Sequence, residues 1–183
     1  MSDKPFTYPE IDESKVVFEE SLIRVRRDTL RLKNGAPYSY YSLNTYPYAV
    51  IILATDPHGC YILNQEYRHP TGQFLLSCPG GYVDKEEDPI DAAKRELEEE
   101  TGYQAMYFEI IGSAYPYAGI SGQKTIYVRA KEAVKKSVPR LDTCEIIQTK
   151  LFSPKELDQA IHEGKNLDGT LCTALFFNQR NIL

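Results

Sequence analysis

At 183 residues the chain is long enough for one well-buried domain with a small appendage. Its net charge of -5 and its lack of a long basic run exclude a nucleic-acid polymer as the expected ligand. It has no apolar run long enough to span a bilayer and no signal-peptide pattern at its start. We therefore expect a cytoplasmic protein without a membrane partner.

The cysteines give no sign of a metal or redox site. The chain has 4 of them, widely and irregularly spaced, and it contains no C-x-x-C motif. Neither a zinc site nor a redox pair is therefore indicated. In a protein without a secretory signal we expect the cysteines to be reduced thiols. They are Cys60, Cys78, Cys144 and Cys172.

The first part of the chain predicts a small antiparallel sheet preceded by an arm. Residues 1–14 are polar and contain two prolines. Beyond this arm apolar and charged residues alternate, which is typical of strands with one buried face. The alternation changes phase at residues 27–29, where a bulge or tight turn would return the apolar side chains to a common face. Asn34-Gly35 is a hairpin turn signal, so residues 15–46 are expected to form about three strands.

A cluster of tyrosines lies towards the end of this predicted sheet. Tyrosine rings are able to stack on a nucleobase, and they also pack well within a sheet. Packing is the more common role of such a cluster, and it is the interpretation that we favour. The cluster consists of Tyr38, Tyr40, Tyr41, Tyr46 and Tyr48.

The rest of the chain predicts a layered domain of strands and helices. The near-continuous apolar run at residues 48–54 is typical of a buried strand, and its partner is expected at residues 61–67. Residues 153–156 form a capping box that opens a helix ending at Gly164, and a last helix begins at about Asp168. Helices that cover such strands make a mixed α/β domain. Further strands are expected at residues 106–117, 124–130 and 144–152.

The central feature of the chain is a glycine turn followed by a well-delimited helix, within residues 80–103. Asp88 is a suitable N-cap, with Pro89 at the first helical position. Asp91 lies in the first turn, where an acidic side chain complements the helix dipole. Gly102 supplies the left-handed residue that commonly ends a helix.

Three glutamates of this helix share one face. Each helical residue advances by about 100°, so Glu100 lies about 40° to one side of Glu96 and Glu99 about 60° to the other. Like charges one turn apart destabilise a helix by roughly 0.2–0.5 kcal/mol per pair. A divalent cation would offset this repulsion, since carboxylate oxygens suit Mg²⁺ or Mn²⁺. Taken alone, the glutamate run is also compatible with a charged surface helix.

The spacing of the whole stretch resembles the signature of the Nudix hydrolases, G-x5-E-x7-R-E-U-x-E-E-x-G-U, in which U is a bulky apolar residue. Only the last position departs from it, with Tyr103 where an aliphatic residue is usual. The matching positions are Gly81, Glu87, Arg95, Glu96, Leu97, Glu99, Glu100 and Gly102.

The resemblance implies a Nudix α-β-α sandwich and a metal-dependent reaction at a pyrophosphate. It implies that Glu96, Glu99 and Glu100 are metal ligands, together with the carbonyl of Gly80, which would also border the substrate. Magnesium is the expected ion, with manganese as a substitute. An ion pair between the signature's first glutamate and its arginine is expected to hold the loop against the helix.

The tail of the chain resembles the ADP-ribose and nucleoside diphosphate sugar pyrophosphatase branch of the family. That alignment gives Glu145 as a further catalytic glutamate beside Glu99, with Asp142 as a weaker candidate; a surface carboxylate is the alternative role for Glu145. The strand that ends at Arg68 also resembles the branch. Arg68 is accordingly expected to bind a substrate phosphate, although an arginine at a strand end is often simply solvated.

The expected function is therefore hydrolysis of a nucleoside diphosphate sugar of the ADP-ribose, ADP-sugar or GDP-sugar type, giving a nucleoside monophosphate and a sugar phosphate. The alternatives are another nucleotide pyrophosphate, such as a dinucleoside polyphosphate, a nucleoside triphosphate or coenzyme A, and a non-catalytic nucleotide-sensing module. The resemblance also implies a homodimer. Residues 1–46 would form the arm and dimerisation sheet, and residues 47–183 the hydrolase domain.

Overall fold

The computed structural model describes residues 8–21, 23–44 and 46–180, which form two compact units. The first unit contains the described residues up to Pro47 together with residues 117–123, and the second contains the remaining described residues. The sequence predicted a single boundary after residue 46. It did not predict that residues 117–123, which lie far along the chain, belong to the first unit.

The first unit is built on a three-stranded antiparallel sheet in the order β1-β2-β3. Its first strand begins at Glu10, so the described end of the expected arm, residues 10–14, is strand instead. Residues 1–7 of that arm lie outside the described residues. The strands are β1 (Glu10–Glu20), β2 (Ile23–Arg31) and β3 (Pro37–Asn44).

The predicted bulge at residues 27–29 is wrong. The pairing of β2 with β3 runs without a shift from Arg24 to Arg31. The irregularities lie in β1 instead, between Ile11 and Glu13 and between Val16 and Phe18. Because β2 is bonded on both sides whereas β1 lies at the sheet edge, β1 can accommodate extra residues while breaking fewer ladder hydrogen bonds.

Residues 117–123 extend this unit beside β3. The Leu43 amide donates to the Ile120 carbonyl at 2.7 Å, and the hydroxyl of Tyr40 donates to the Gly119 carbonyl at 2.7 Å. The rings of Tyr38 and Tyr40 also meet edge to face, with centroids 6.4 Å apart. For these two members of the tyrosine cluster, the contacts are those of sheet packing.

The second unit contains nine strands, three α-helices and a short 3-10 helix among its described residues. The strands are β4 (Tyr48–Thr55), β5 (Tyr61–Arg68), β6 (Gln73–Ser77), β7 (Gly80–Tyr82), β8 (Tyr103–Gln104), β9 (Tyr107–Ala114), β10 (Lys124–Lys131), β11 (Val134–Lys135) and β12 (Ile147–Phe152). The helices are α1 (Pro89–Thr101), α2 (Pro154–His162) and α3 (Gly169–Arg180), and the 3-10 helix is His69–Thr71.

Seven of these strands form one mixed sheet. Its main path is β12-β5-β4-β10-β9, while β6 pairs with β5 and β7 pairs with β4. The pairing of β4 with β10 is parallel, and the others in the sheet are antiparallel. The two short strands β8 and β11 pair with each other.

Helices cover both faces of this sheet. On β4, Ile52 packs with Leu97 of α1, whereas the next residue, Leu53, packs in a second core with Leu157 of α2 and Leu171 of α3. Alternate residues of a strand point to opposite faces, so the apolar run is buried on both sides. The predicted α-β-α sandwich is therefore confirmed. No helix in the described ranges is long and apolar enough to cross a membrane.

Candidate active site

The loop before α1 and both helix ends are fixed by local contacts. The Asp88 carboxylate accepts a hydrogen bond from the Ile90 amide at 2.8 Å, and Gly102 closes the helix with φ +74°. Leu97, on the buried side, is fully inaccessible and packs against the sheet. The predicted caps are confirmed, and they orient the glutamate face of α1 towards β5 and β7.

The predicted ion pair between Glu87 and Arg95 is confirmed. Both oxygens of Glu87 accept from the Arg95 guanidinium at 3.0 Å, and one also accepts from the Asp84 amide at 3.0 Å. Arg95 in turn donates to the Tyr82 carbonyl at 3.0 Å. The hydrogen bonds from Arg95 lower the pKa of Glu87, so this carboxylate stays charged and ties the loop to the helix.

Arg95 also reaches two glutamates of the predicted metal face, which we did not predict, although Glu99 lies one helical turn after Arg95. Its Nη1 lies 2.7 Å from Glu96 Oε1 and 3.2 Å from Glu99 Oε2. A single cation therefore partly neutralises both carboxylates in this structure.

Glu100 is the most deeply buried of the three glutamates, at 6% exposure. Its Oε2 accepts from Asn64 Nδ2 at 2.7 Å and from the Gly80 amide at 3.2 Å. Burial raises the pKa of Glu100 well above its ordinary value, and the charges of Glu66 and Glu96 raise it further. Burial and the neighbouring like charges both disfavour the ionised carboxylate, and a cation bound here would offset that cost.

Glu96 lies against Gly81, and this explains why the signature begins with glycine. The predicted glycine turn is wrong, because Gly80 and Gly81 are part of β7 and pair with β4. A Cβ on Gly81 would fall within 3.0 Å of the Glu96 carboxylate. Burial raises the pKa of Glu96 despite the hydrogen bond from Arg95. Gly80 is similarly confined, since a Cβ there would come within 3.0 Å of the Val50 carbonyl oxygen.

Glu66 belongs to this cluster, and we did not predict it. It lies on β5 and is 9% exposed. Its Oε1 forms an ion pair with Arg68 Nη1 at 2.6 Å. Burial raises its pKa despite the Arg68 charge. Glu66 could have been predicted from the sequence, because residues 64, 66 and 68 lie on the same face of a strand.

The structure brings Glu145 close to the same group. Its charge contributes to the raised pKa values of Glu66, Glu96 and Glu100, behind burial in each case. Its Oε2 accepts a hydrogen bond from the Asp142 amide at 2.8 Å. Asp142, the weaker candidate, thus holds Glu145 through its backbone.

Arg68 lies between two carboxylates. Beside its contact with Glu66, its Nε lies 4.0 Å from Asp168 Oδ2 at the start of α3. Its side chain keeps 43% of its surface exposed. The guanidinium is therefore already oriented when a phosphate reaches it. The phosphate would compete with Glu66 and Asp168 for hydrogen bonds from Arg68.

The donor chemistry fits a divalent cation, although no three acidic, histidine or cysteine side chains among the described residues already converge on one point. Arg95 holds Glu96 and Glu99, whereas Asn64 holds Glu100. A magnesium ion usually takes one or two carboxylates and keeps several waters, so the three glutamates supply enough oxygens for more than one ion.

We expect Glu100→Gln to raise the free energy of unfolding at neutral pH when chelator is present. Burial makes the folded state bind the Glu100 proton more tightly than the unfolded state, so this group's contribution falls as pH rises from its ordinary pKa through its raised one. Glutamine carries no charge at any pH. The advantage of the variant should shrink towards acid pH, as measured by urea unfolding at several pH values with EDTA. A parent that is more stable than the variant at neutral pH would contradict this.

Comparison with known proteins agrees with this geometry. The NUDIX domain family matches residues 45–171. The chain is 27% identical over 164 residues to a methanol dehydrogenase activator of Bacillus methanolicus, covering 89% of this chain and 88% of that protein. It is 30% identical over 133 residues to an ADP-ribose pyrophosphatase of Bacillus subtilis (strain 168), covering 72% and 71% of the two chains.

A solved structure supports the fold. The crystal structure of an ADP compounds hydrolase superposes with a TM-score of 0.85 at 23% identity and covers 97% of this chain and 96% of that one. The family match extends over the whole stretch that contains the glutamate face of α1, the glycines of β7 and the neighbouring strands. The chain is a member of the NUDIX domain family.

Proposed function

We propose that the protein hydrolyses the pyrophosphate of a nucleoside diphosphate sugar, giving a nucleoside monophosphate and a sugar phosphate. The observation that carries the proposal is the carboxylate cluster where α1 faces β5 and β7, in a chain of the NUDIX family. A cluster of buried acids suits a substrate whose anionic phosphates arrive together with a divalent cation.

The substrate class is supported by a relative. The Bacillus subtilis protein is called an ADP-ribose pyrophosphatase and aligns over 71% of its length. The Bacillus methanolicus relative is called an activator of another enzyme, so its name gives no substrate. We therefore propose a substrate class that includes ADP-ribose, other ADP-sugars and GDP-sugars.

Glu96, Glu99 and Glu100, with the carbonyl of Gly80, would hold the cation, for which we propose Mg²⁺ or Mn²⁺. When bound, such an ion neutralises phosphate oxygens and lowers the pKa of a bound water. Arg95 would release Glu96 and Glu99 to the cation while keeping its two bonds to Glu87. Gly81 has no side chain and so leaves room for the Glu96 carboxylate.

Proton transfer is the role that we propose for Glu145 and Glu99. Glu145 is half-buried beside the other acids, and the Asp142 amide fixes one of its oxygens. Glu99 lies at the outer side of the face, with 36% of its side chain exposed. Either carboxylate is accessible to a water at the rim of the cluster and is able to accept its proton.

Arg68 is proposed to bind a substrate phosphate. The anions Glu66 and Asp168 fix the direction of its guanidinium, and its exposed surface is the part left for a ligand. An arginine oriented in advance loses less side-chain entropy when it binds a phosphate.

The test is a panel of ADP-ribose, other ADP-sugars, GDP-sugars, nucleoside triphosphates, dinucleoside polyphosphates and coenzyme A, each with Mg²⁺, followed by separation of the products. We expect a nucleoside monophosphate and a sugar phosphate from one or more nucleotide sugars. Preferred cleavage of a triphosphate, a dinucleoside polyphosphate or coenzyme A would overturn the substrate class. Nucleotide binding without any turnover would instead favour a sensing module.

We also propose a homodimer that forms through the first unit. A three-stranded sheet is marginal on its own, and this one leaves apolar side chains exposed on β1 and β2. Phe18 is 50% exposed and Ile23 is 49% exposed. Sedimentation velocity should give twice the mass of one chain, and Phe18→Asp should shift it towards the monomer. A monomeric parent protein at micromolar concentration would contradict the proposal.

A cytoplasmic location is part of the proposal. All four cysteines lie within the described residues and are free thiols. Free thiols persist in a reducing compartment, whereas oxidising compartments favour pairing.

A further inference from the structure

An amide side chain is buried on β5 directly after two buried apolar residues. Asn64 follows Ile62 and Leu63 on β5, and all three are fully inaccessible to solvent. A buried amide costs free energy unless its donors and acceptor are satisfied. The hydrogen-bond partners of the Asn64 side chain therefore indicate its role.

Both ends of the Asn64 amide are bonded, and the bonds fix its orientation. The Thr149 hydroxyl on β12 donates to Asn64 Oδ1 at 3.0 Å, and the Glu100 carbonyl is a more distant alternative acceptor at 3.4 Å. Thr149 and Asn64 are direct partners in the sheet. This contact directs the amide nitrogen towards α1, where Nδ2 donates to Glu100 Oε2 at 2.7 Å.

The contact selects one oxygen of Glu100. The Gly80 amide also donates to Oε2, at 3.2 Å, so both hydrogen bonds that the described residues donate to this carboxylate arrive at the same atom. Oε1 is the oxygen left for an ion. A carboxylate fixed in this way loses no further rotamer freedom when a cation binds.

We propose that Asn64 is a positioning residue, oriented by Thr149, that holds Glu100 Oε2 so that Oε1 faces a divalent cation. This inference rests on the proposed function, because it takes Glu100 to be a metal ligand. The rival role is simple satisfaction of polar groups in the core, which would affect stability without affecting metal affinity.

The test measures Mn²⁺ binding by electron paramagnetic resonance titration, which does not depend on turnover. In Asn64→Leu the amide is replaced by an apolar group of similar size, and we expect Mn²⁺ to bind about 10–100-fold more weakly. Turnover should recover at higher metal concentration, because the ligand is still present. The matched control is Gln65→Leu, since Gln65 lies on the opposite side of β5 and bonds Lys150. The control should bind Mn²⁺ as the parent does.

A second pair of variants covers the case in which Asn64→Leu does not fold. Thr149→Ser keeps the hydroxyl that orients Asn64 and should bind Mn²⁺ normally, whereas Thr149→Val loses it and should bind about tenfold more weakly. Parent-like Mn²⁺ affinity in folded Asn64→Leu or in Thr149→Val would overturn the positioning role while leaving the proposed function intact. A parent protein that binds no Mn²⁺ would overturn both.

Discussion

Glu100→Gln is expected to lower kcat/KM for a nucleotide sugar by about 10³-fold while the protein remains folded. A metal ligand contributes several kcal/mol to stabilising charge in the transition state, and about 4 kcal/mol corresponds to this factor. Glutamine keeps the shape of the side chain and its hydrogen bonds from Asn64 and the Gly80 amide. It loses only the charge that a cation would require.

The control is the same chemical change two residues earlier in the helix. Glu98 lies away from the cluster and accepts a hydrogen bond from Gln104 Nε2 at 2.9 Å. Glu98→Gln should therefore retain kcat/KM within about twofold, since it touches nothing at the site. Because Glu100→Gln is also expected to be more stable than the parent in chelator, lost turnover could not be attributed to unfolding. Similar turnover in both variants would exclude Glu100 as a ligand.

The helix could be predicted almost completely from the sequence because its signals are local. Asp88, Pro89 and Gly102 act within one turn of the residues that they cap. The shared face of the three glutamates likewise depends only on the helical repeat. Such features do not depend on which strand lies beside which, so one sequence is enough to find them.

The rest of the site depends on strand register, which the sequence did not provide. Asn64 meets Glu100 because β5 lies beneath α1, and Thr149 meets Asn64 because β12 pairs with β5 in one register. Glu66 could have been found from the alternation of β5, since it shares a face with Asn64 and Arg68. The contact of Arg95 with Glu99 could have been found from their spacing of four residues on the helix, whereas the contact with its neighbour Glu96 required side-chain positions.

The errors in the first unit have the same origin. The change of phase in β2 indicated an irregularity, but only the pairing shows that β1 contains it. The short strands β6, β8 and β11 were missed because segments of two to five residues carry too little periodicity to be recognised.

Gly102→Ala is expected to lower the free energy of unfolding by about 3 kcal/mol, measured by urea denaturation. The residue has φ +74°, where a side chain costs about 1–2 kcal/mol. A Cβ there would also come within 3.0 Å of the backbone carbonyl of Ser137. That segment cannot easily move away, because the amides of Lys136 and Ser137 donate to the Gly102 carbonyl at 2.8 and 3.1 Å. Overpacking of this kind adds about 1–3 kcal/mol.

Gly72→Ala separates the two contributions. Gly72 has φ +64° and also ends a helix, the 3-10 turn, but a Cβ there would meet nothing within 4 Å. It should therefore cost only the conformational part, about 1 kcal/mol. A loss for Gly102→Ala no larger than that for Gly72→Ala would mean that the segment at residues 136–137 yields freely. In that case Gly102, the last glycine of the signature, would be required for its backbone angle alone. The close packing of residues 136–137 against the end of α1 would not require it.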